Sequence, residues 1–341
     1  MTPLLINIVY TPGTVAYLLP FAQSLLDHSD ATFRLVDNGC LPPERRLLDA
    51  FAGRQPRAKI WSMPGDDCRP HSEVLDRLRL LPHPGPYCFL DSDIVASGPF
   101  AEQLVAALDT AGAVFSGAPV WLRDEDAVFR RGYRSMTGEL IRDEAGRCLG
   151  CTYVAAYTPT QLAEAAARFG VGFGEYAWHD LSPAAQARLA ERDCRAERYD
   201  TGRVLTNLIA GEAVYLPLTN LHHLGGFSFP ALDGSAGARP VRHPWLPRAL
   251  RRLIAIWNYQ RFGGIGEATA IARRRLQFRD PVRRHFWTLS HALLSGGEPA
   301  PPPRTGDADV DRRIDAASAA IRHCYAAYAA AETLHRKAVR G

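Results

Sequence analysis

"PYCFLDSDIVASGPF", residues 86–100, decides how this chain is read. An apolar run from Tyr87 to Leu90 ends at Asp91, a second acid follows at Asp93, and the chain turns apolar again at Ile94 and Val95. Acids two positions apart on a strand share a face. At a strand end, where the chain turns, both can converge on one point. Two bare carboxylates that close repel each other, and one tends to keep its proton. A divalent cation removes the conflict, and oxygen ligands suit Mg²⁺ or Mn²⁺. An ion only partly wrapped by protein keeps positions open for a diphosphate, which it can stabilise as a leaving group. The competing reading is a plain turn ahead of the helix in "FAEQLVAAL".

Context favours the first reading. Upstream, "LLINIVYT", "TFRLVDNG" and "AKIWSMPG" read as strands, separated by helical stretches "TVAYLLPFAQSLLDH", "PERRLLDAFAG" and "SEVLDRLRLLP". The acid pair therefore ends the fourth strand of a β-α-β-α-β-α-β series. That series predicts an α/β fold, a parallel sheet with helices on both faces. Ligands of such sheets sit at the carboxyl ends of the strands, where Asp37, Asp91 and Asp93 all fall. "FAEQLVAALDTAG" and "AVFSGAPVW" continue the alternation, as do "CTYVAAYT" and "PTQLAEAAARFG". Residues 122–147 and 170–203 read as irregular, and 222–226 as a turn.

The chain of 341 residues is 47% hydrophobic and 22% charged, enough for a sizeable core. No run approaches the roughly 18 apolar residues of a membrane span, and the start reads as a first strand rather than a signal peptide. Seven scattered cysteines suggest no disulfide framework and fit a reducing cytoplasm. Cys148 and Cys151 form a lone CxxC, read as two free thiols. Net charge is +4, but residues 240–297 hold eleven Arg, no Lys and two acids. That asymmetry points to an anionic partner. Arg residues among Trp245, Trp257, Phe262 and Trp287 suggest either peripheral contact with the inner face of a membrane or a solvated helical subdomain capping an acceptor site. No nucleic-acid-binding motif accompanies them. Residues 298–308 are a Pro-rich linker. From Asp309, Val310, Ala317, Cys324 and Ala331 recur every seven residues, as do Ile314, Ile321 and Tyr328, which predicts a helix that docks on the body or forms a homodimer seam.

"SEVLDRLRLLPHPGPYCFLDSDIVASGPFAEQL" resembles the DxD region of nucleotide-sugar glycosyltransferases of the GT-A fold, nearest in texture to the glycogenin-like and bacterial lipopolysaccharide galactosyltransferases. The resemblance spans roughly residues 4–229. It implies a Rossmann-like catalytic domain over 1–239; composition and spacing then set off the basic helical subdomain 240–297, the linker 298–308 and the helix 309–341. It further implies Asp93 as a direct ligand of Mn²⁺ or Mg²⁺, and Asp91 shared between metal and donor ribose, with Ser92 beside it. Tyr10 and Thr11 would lie at the nucleotide base, Asp37 near base or ribose, and Arg69 or His71 near the diphosphate.

Downstream, "NLHHLGGFSF" is similar to the late histidine-glycine element of that fold. There one histidine, His222 or His223, completes the metal shell, and the glycines let backbone approach phosphate. Where the glycogenin-like pattern ends in lysine this chain has Ser228, so a basic contact comes from elsewhere, with Arg239 and Arg242 as candidates. Glu175, Asp180 and Asp200 are the carboxylates between the two metal elements. Asp200 is expected on the acceptor side or as cap of the next helix, and His179–Asp180 as alternative base machinery. The activity implied is metal-dependent transfer of a hexose-type sugar from a nucleotide-diphosphate donor to a glycan, lipid-linked or small-molecule acceptor. A non-catalytic binding protein of the same fold is the rival. A haloacid-dehalogenase-like phosphatase fits less well, because its nucleophilic Asp normally ends the first strand.

Overall fold

The computed structural model describes residues 4–82, 85–227 and 265–340. The expected alternation is present: β1 (Leu5–Tyr10), α1 (Val15–Asp27), β2 (Thr32–Asp37), α2 (Pro42–Arg54), β3 (Ala58–Ser62), α3 (His71–Arg79) and β4 (Tyr87–Leu90). β5 (Ile94–Ala96), α4 (Ala101–Leu108) and β6 (Ala113–Ser116) follow. After three two-residue strands, β7 (Val128–Phe129), β8 (Ser135–Met136) and β9 (Arg142–Asp143), the chain enters β10 (Val154–Tyr157) and α5 (Pro159–Phe169). Next come β11 (Tyr176–Ala177), α6 (Pro183–Glu191), β12 (Arg198–Tyr199), α7 (Arg203–Leu208), β13 (Ala213–Tyr215) and β14 (Leu221–His223). Three helices close the described chain: α8 (Ile265–Gln277), α9 (Arg279–Ser295) and α10 (Ala308–Arg340).

Seven strands make the central sheet, in the order β13-β6-β10-β4-β1-β2-β3. β4, β1, β2 and β3 are parallel to their neighbours, as is β13 to β6, whereas β10 runs antiparallel to both β4 and β6. The cause is topological. No crossover helix follows β6, so the chain wanders over the carboxyl end of the sheet and re-enters from there. Alternate side chains then feed two cores. Ile6, Ile8, Cys88, Leu90, Val154 and Ala156 face one, while Tyr87, Phe89, Ala155 and Tyr157 face the other. α1, α2, α4, α9 and α10 supply the first core, and α3, α5, α6 and α7 the second. The expected α/β class with helices on both faces is the one observed, with one strand reversed.

Two readings need correction. The stretch 170–203 holds a helix, α6, started by Ser182, whose hydroxyl accepts from Ala185 N, and by Pro183 at its first position. The predicted turn at His222 and His223 is strand β14, paired antiparallel to β5. Short strands that pair only with each other carry too little periodicity to be seen in sequence.

The seam of the C-terminal helix is occupied within the chain. Val310, Ile314, Ala317, Ile321 and Cys324 are buried, and α10 lies on α1, β5 and β14. Tyr325 donates its hydroxyl to Tyr17 O at 2.8 Å and packs edge-on to Phe21. α9 adds Val282, Phe286, Trp287 and Leu289 to the same core. The expected boundary at 239/240 lies outside the described residues, as do Arg239, Arg242, Trp245 and Trp257. Among the described residues, no helix is long and apolar enough to cross a membrane.

If α10 is a wall of the core rather than an appendage, Ile314→Ala should cost about 2–4 kcal/mol of unfolding free energy. Urea denaturation followed by tryptophan fluorescence and by circular dichroism should give one coincident transition with a lower midpoint. An unchanged midpoint would contradict this packing.

Candidate active site

The ends of β4 and β14 meet. Asp91 N donates to Tyr153 O at 2.7 Å, tying the end of β4 to the start of β10. The β5–β14 register sets His223 opposite Ile94, and Leu224 N donates to Asp93 O at 3.1 Å. Two residues distant in sequence thus become neighbours through main-chain pairing. Asp93 is then oriented by backbone: its Oδ2 accepts from Gly226 N and Phe227 N, both at 2.7 Å. Charge-assisted bonds of this kind are about twice as strong as neutral ones, and they leave Oδ1 turned towards His223. The turn that supplies them has positive φ at Gly225 (73°) and Gly226 (94°). A Cβ on Gly225 would sit 2.6 Å from Trp121 Nε1 and 2.7 Å from Pro119 Cβ. These glycines permit tight packing against residues 119–121, and the Gly226 N–H is directed at Asp93.

His223 is fixed from its other side. Nδ1 lies 2.6 Å from Gly117 O, so Nδ1 carries the proton and donates it. In the neutral ring Nε2 then carries the lone pair. It is buried, 3.3 Å from Asp93 Oδ1 and 3.6 Å from Asp91 Oδ2, and in hydrogen-bonding geometry with neither. Ligand atoms of Asp91, Asp93 and His223 all lie within 4.8 Å of one another. A buried, orphaned imidazole nitrogen aimed between two carboxylates fits a divalent cation with oxygen and nitrogen ligands, such as Mn²⁺ or Mg²⁺. Only one of the two histidines joins this group. His222, next along β14, faces the other way, and its Nε2 is 2.9 Å from Ser97 Oγ.

Titration follows from the same geometry. Burial pushes Asp91 up to about 8, with Asp93 adding and His223 opposing. Burial also pushes Asp93 upwards, but His223 and the two backbone N–H donors outweigh it, and its carboxyl sits below the usual range. Burial lowers His223, yet the two acids and Gly117 O leave it raised.

Around these residues opens a cleft of about 860 Å³ at the carboxyl end of the sheet. Thr11, Asn38, Arg69 and His71 line it from the first half of the chain, and Asp91, Ser92 and Asp93 form its floor. Thr137, Gly138, Tyr153, Asp200 and Thr201 make the opposite side. Asn38 holds Arg69 by two bonds of 2.9 Å, Nδ2 to Arg69 O and Oδ1 from Arg69 N. Burial pulls His71 down to about 4, against the pull of Asp200, so it is neutral at physiological pH.

Two residues expected near the nucleotide, Tyr10 and Asp37, do not line this cleft. Tyr10 is fully buried in the first core, on the face of β1 that packs against helices. Asp37 is also buried and serves the chain itself: Oδ1 accepts from Cys40 N at 2.8 Å, and Oδ2 pairs with Arg45 Nε at 3.0 Å. Thr11 and Asn38, one residue beyond each, are the ones that face the cleft.

Asp200 stands at a junction. It lines the main cleft and an adjoining pocket of about 480 Å³ that also holds Glu175, Tyr176, Asp180, Arg198 and Tyr199. Its carboxylate accepts from Gly138 N at 2.9 Å and Thr201 N at 2.8 Å. The N-cap of α7 is Gly202, so Asp200 fastens a loop rather than capping that helix. Beneath it, the buried Arg203 donates to Thr137 O and Gly150 O, holding the wall in place. Asp180 lies in the adjoining pocket only, capping its own short turn through Ala177 N. Sequence reasoning missed Arg279 and Arg283 of α9, which line the cleft. Their signal was the Arg-rich composition of 240–297, read there for its total and not for position.

No family model and no curated protein matches this chain. Among solved structures it is similar to the bifunctional glycosyltransferase WbbM, at 12% identity and TM-score 0.38, over 64% of this chain and 39% of that one. The chain thus spans about two fifths of WbbM. It is similar to the galactosyltransferase LgtC in complex with donor and acceptor sugar analogs (14%, TM-score 0.37, 62% and 73%). A mannosyltransferase, PcManGT from Pyrobaculum calidifontis in complex with GDP-Man and Mn²⁺, is similar at 14% and TM-score 0.39, over 94% and 87%.

Because Asp91 is raised, the metal-free native state holds a proton that the unfolded chain has already lost between pH 4 and 8. Asp91 therefore favours folding below about pH 4, and that contribution is lost as pH rises through about 8. A cation must displace this proton, so Mn²⁺ affinity should rise with pH, by about tenfold per unit for each proton released between pH 6 and 8. Calorimetry in buffers of different ionisation enthalpy measures that release directly. Asp91→Asn should flatten the dependence, and a wild type with pH-independent affinity would count against the site.

Proposed function

We propose that this chain is a metal-dependent glycosyltransferase that moves a sugar from a nucleotide-diphosphate donor to a glycan, lipid-linked or small-molecule acceptor. The observation that carries this reading is the convergence of Asp91, Asp93 and the orphaned Nε2 of His223 at the carboxyl end of β4. A divalent cation bound there would supply positive charge to the pyrophosphate leaving group.

The chain's own residues do the rest. Asp93 is preset by Gly226 and Phe227 N–H groups, so no reorganisation of that carboxylate is needed when donor arrives. Gly117 O keeps the His223 ring in one tautomer. Thr11, Asn38 and Arg69 border the side where the nucleotide would lie, and Asp91 and Ser92 border the ribose and diphosphate. In the transfer, the bond from sugar C1 to the diphosphate oxygen breaks and one from C1 to the acceptor oxygen forms. Asp200, between the main cleft and the adjoining polar pocket, is positioned to orient the acceptor hydroxyl and take up its proton. Glu175 and Asp180 belong to the acceptor pocket on this reading. We place the sugar-transfer unit in the sheet-bearing part of the chain, with the C-terminal helices completing it.

Thermal-shift measurements with UDP-, GDP- and CDP-sugars test the proposal. At a hundredfold excess over Kd, the cognate donor should add about 2.7 kcal/mol of stability, and only with Mn²⁺ or Mg²⁺ present. A double variant with Asp91→Ala and Asp93→Ala should lose the shift. If no nucleotide sugar stabilises the wild type, the assignment fails. Stabilisation without turnover on any acceptor would indicate a binding protein instead. Asp200→Asn should reduce turnover roughly 10²–10⁴-fold while leaving the metal-dependent shift in place.

A further inference from the structure

The charge balance of the cleft poses a question that the metal alone does not answer. Two carboxylates neutralise one divalent ion, and a neutral imidazole adds nothing. A pyrophosphate would then arrive with its charge largely uncompensated, in a cleft that also carries Glu139 and Asp200. Among the described residues, the cationic side chains lining it are Arg69, on the wall nearest β2, and Arg279 and Arg283, in the first turns of α9.

Positions 279 and 283 are four apart and share a helix face. Arg283 donates from Nη2 at 2.9 Å and Nε at 3.3 Å to Gly226 O. The N–H at the other end of that peptide, Phe227 N, donates to Asp93 Oδ2. A guanidinium therefore sits one peptide group from the metal-binding carboxylate. Arg279 is steered from two sides, by Asp280 Oδ1 at 2.8 Å from its Nε and by Glu139 Oε1 at 3.9 Å from its Nη1. The helix beneath them is anchored. Val282, Phe286 and Leu289 are buried, and Trp287 packs on Phe227 with ring centroids 5.0 Å apart and on Tyr17 at 4.5 Å. Phe227 is the residue whose N–H also grips Asp93. α9 thus clasps the glycine turn twice, by Arg283 on a carbonyl and by Trp287 on a ring.

We propose that Arg279 and Arg283 bind the pyrophosphate of the donor and carry its charge as the nucleotide departs. A planar, permanently charged fork suits phosphate oxygens. The inference rests on the donor reading given under Proposed function, and its consequence is that donor binding depends on a helix outside the alternating β-α series.

The test titrates UDP, GDP and CDP in the presence of Mn²⁺ by calorimetry, and the matching nucleosides by saturation-transfer NMR. Wild type is compared with Arg279→Gln, Arg283→Gln and Arg283→Lys. Each glutamine variant should weaken nucleoside diphosphate binding roughly ten- to a hundredfold. For Arg279→Gln, nucleoside binding, melting temperature and Mn²⁺ affinity without nucleotide should stay unchanged; Arg283→Gln, which also gives up the bonds to Gly226 O, should lower the melting temperature yet lose far more diphosphate affinity than Mn²⁺ or nucleoside affinity, and Arg283→Lys should recover part of the loss. If wild type binds no nucleoside diphosphate, the donor reading fails and this inference with it. If wild type binds and the variants retain affinity within threefold, the donor reading stands and the arginine assignment is overturned. A variant that loses Mn²⁺ or nucleoside to the same degree as diphosphate would show that Arg283 only props the glycine turn, which also overturns the assignment.

Discussion

The pairing of β14 with β5 is the constraint on which the site depends. It is a short antiparallel ladder, yet it sets the register that carries His223 to Asp93 and places the Gly226 and Phe227 N–H groups on the Asp93 carboxylate. A slip of one residue would exchange His223 for His222 and turn the imidazole to the other face. The register is held from three sides: Leu224 N on Asp93 O, Val120 N on His223 O, and the buried packing of Leu221 and Leu224. Asp93 and His223 are thus positioned by main-chain partners, through the Gly226 and Phe227 N–H groups and Gly117 O.

The first half of the fold was legible because long apolar segments with clear periods alternate there, and β1 to β4 form where the pattern puts them. The acid pair was legible for the same reason, being the abrupt end of a buried strand. What could not be read was pairing between distant short segments. Ile94–Ala96 and Leu221–His223 are three residues each and have no recognisable period, so β14 looked like a turn. The choice between His222 and His223 needed that pairing. Tyr10 and Asp37 turn away from the cleft, and the next residue along lines it in each case. A strand's last residue and the one after it point to opposite sides, and the inward one serves the core or its own loop while Thr11 and Asn38 meet the cleft. Arg279 and Arg283 were hidden in a composition signal, because spacing within an Arg-rich stretch does not say which face the helix will turn inward.

The C-terminal helices change how the molecule should be divided. Their apolar residues join the core that α1 and β1 also build, and Tyr325 and Trp287 both touch Tyr17. Heptad spacing in α10 reflects a stripe laid against its own chain, which is the commoner fate of such a stripe when it is narrow and alanine-rich. α9 then links that scaffold to the glycine turn, so structural burial and site geometry share one helix.

The reversed strand β10 has its own consequence. Residues 117–153 leave the sheet at Gly117 and come back at Tyr153, both at the same rim, and both ends are pinned, by His223 Nδ1 on Gly117 O and by Asp91 N on Tyr153 O. The span between them is a closed excursion, free of any crossover geometry. Within it, residues 119–122 and 137–138 are tied to the β14 turn and to Asp200, but the exposed tips at 130–132 and 144–147 can change in length without disturbing strand order or moving either acid. A chain built this way can vary what those tips present while the two acids and His223 stay where the main-chain ladder sets them.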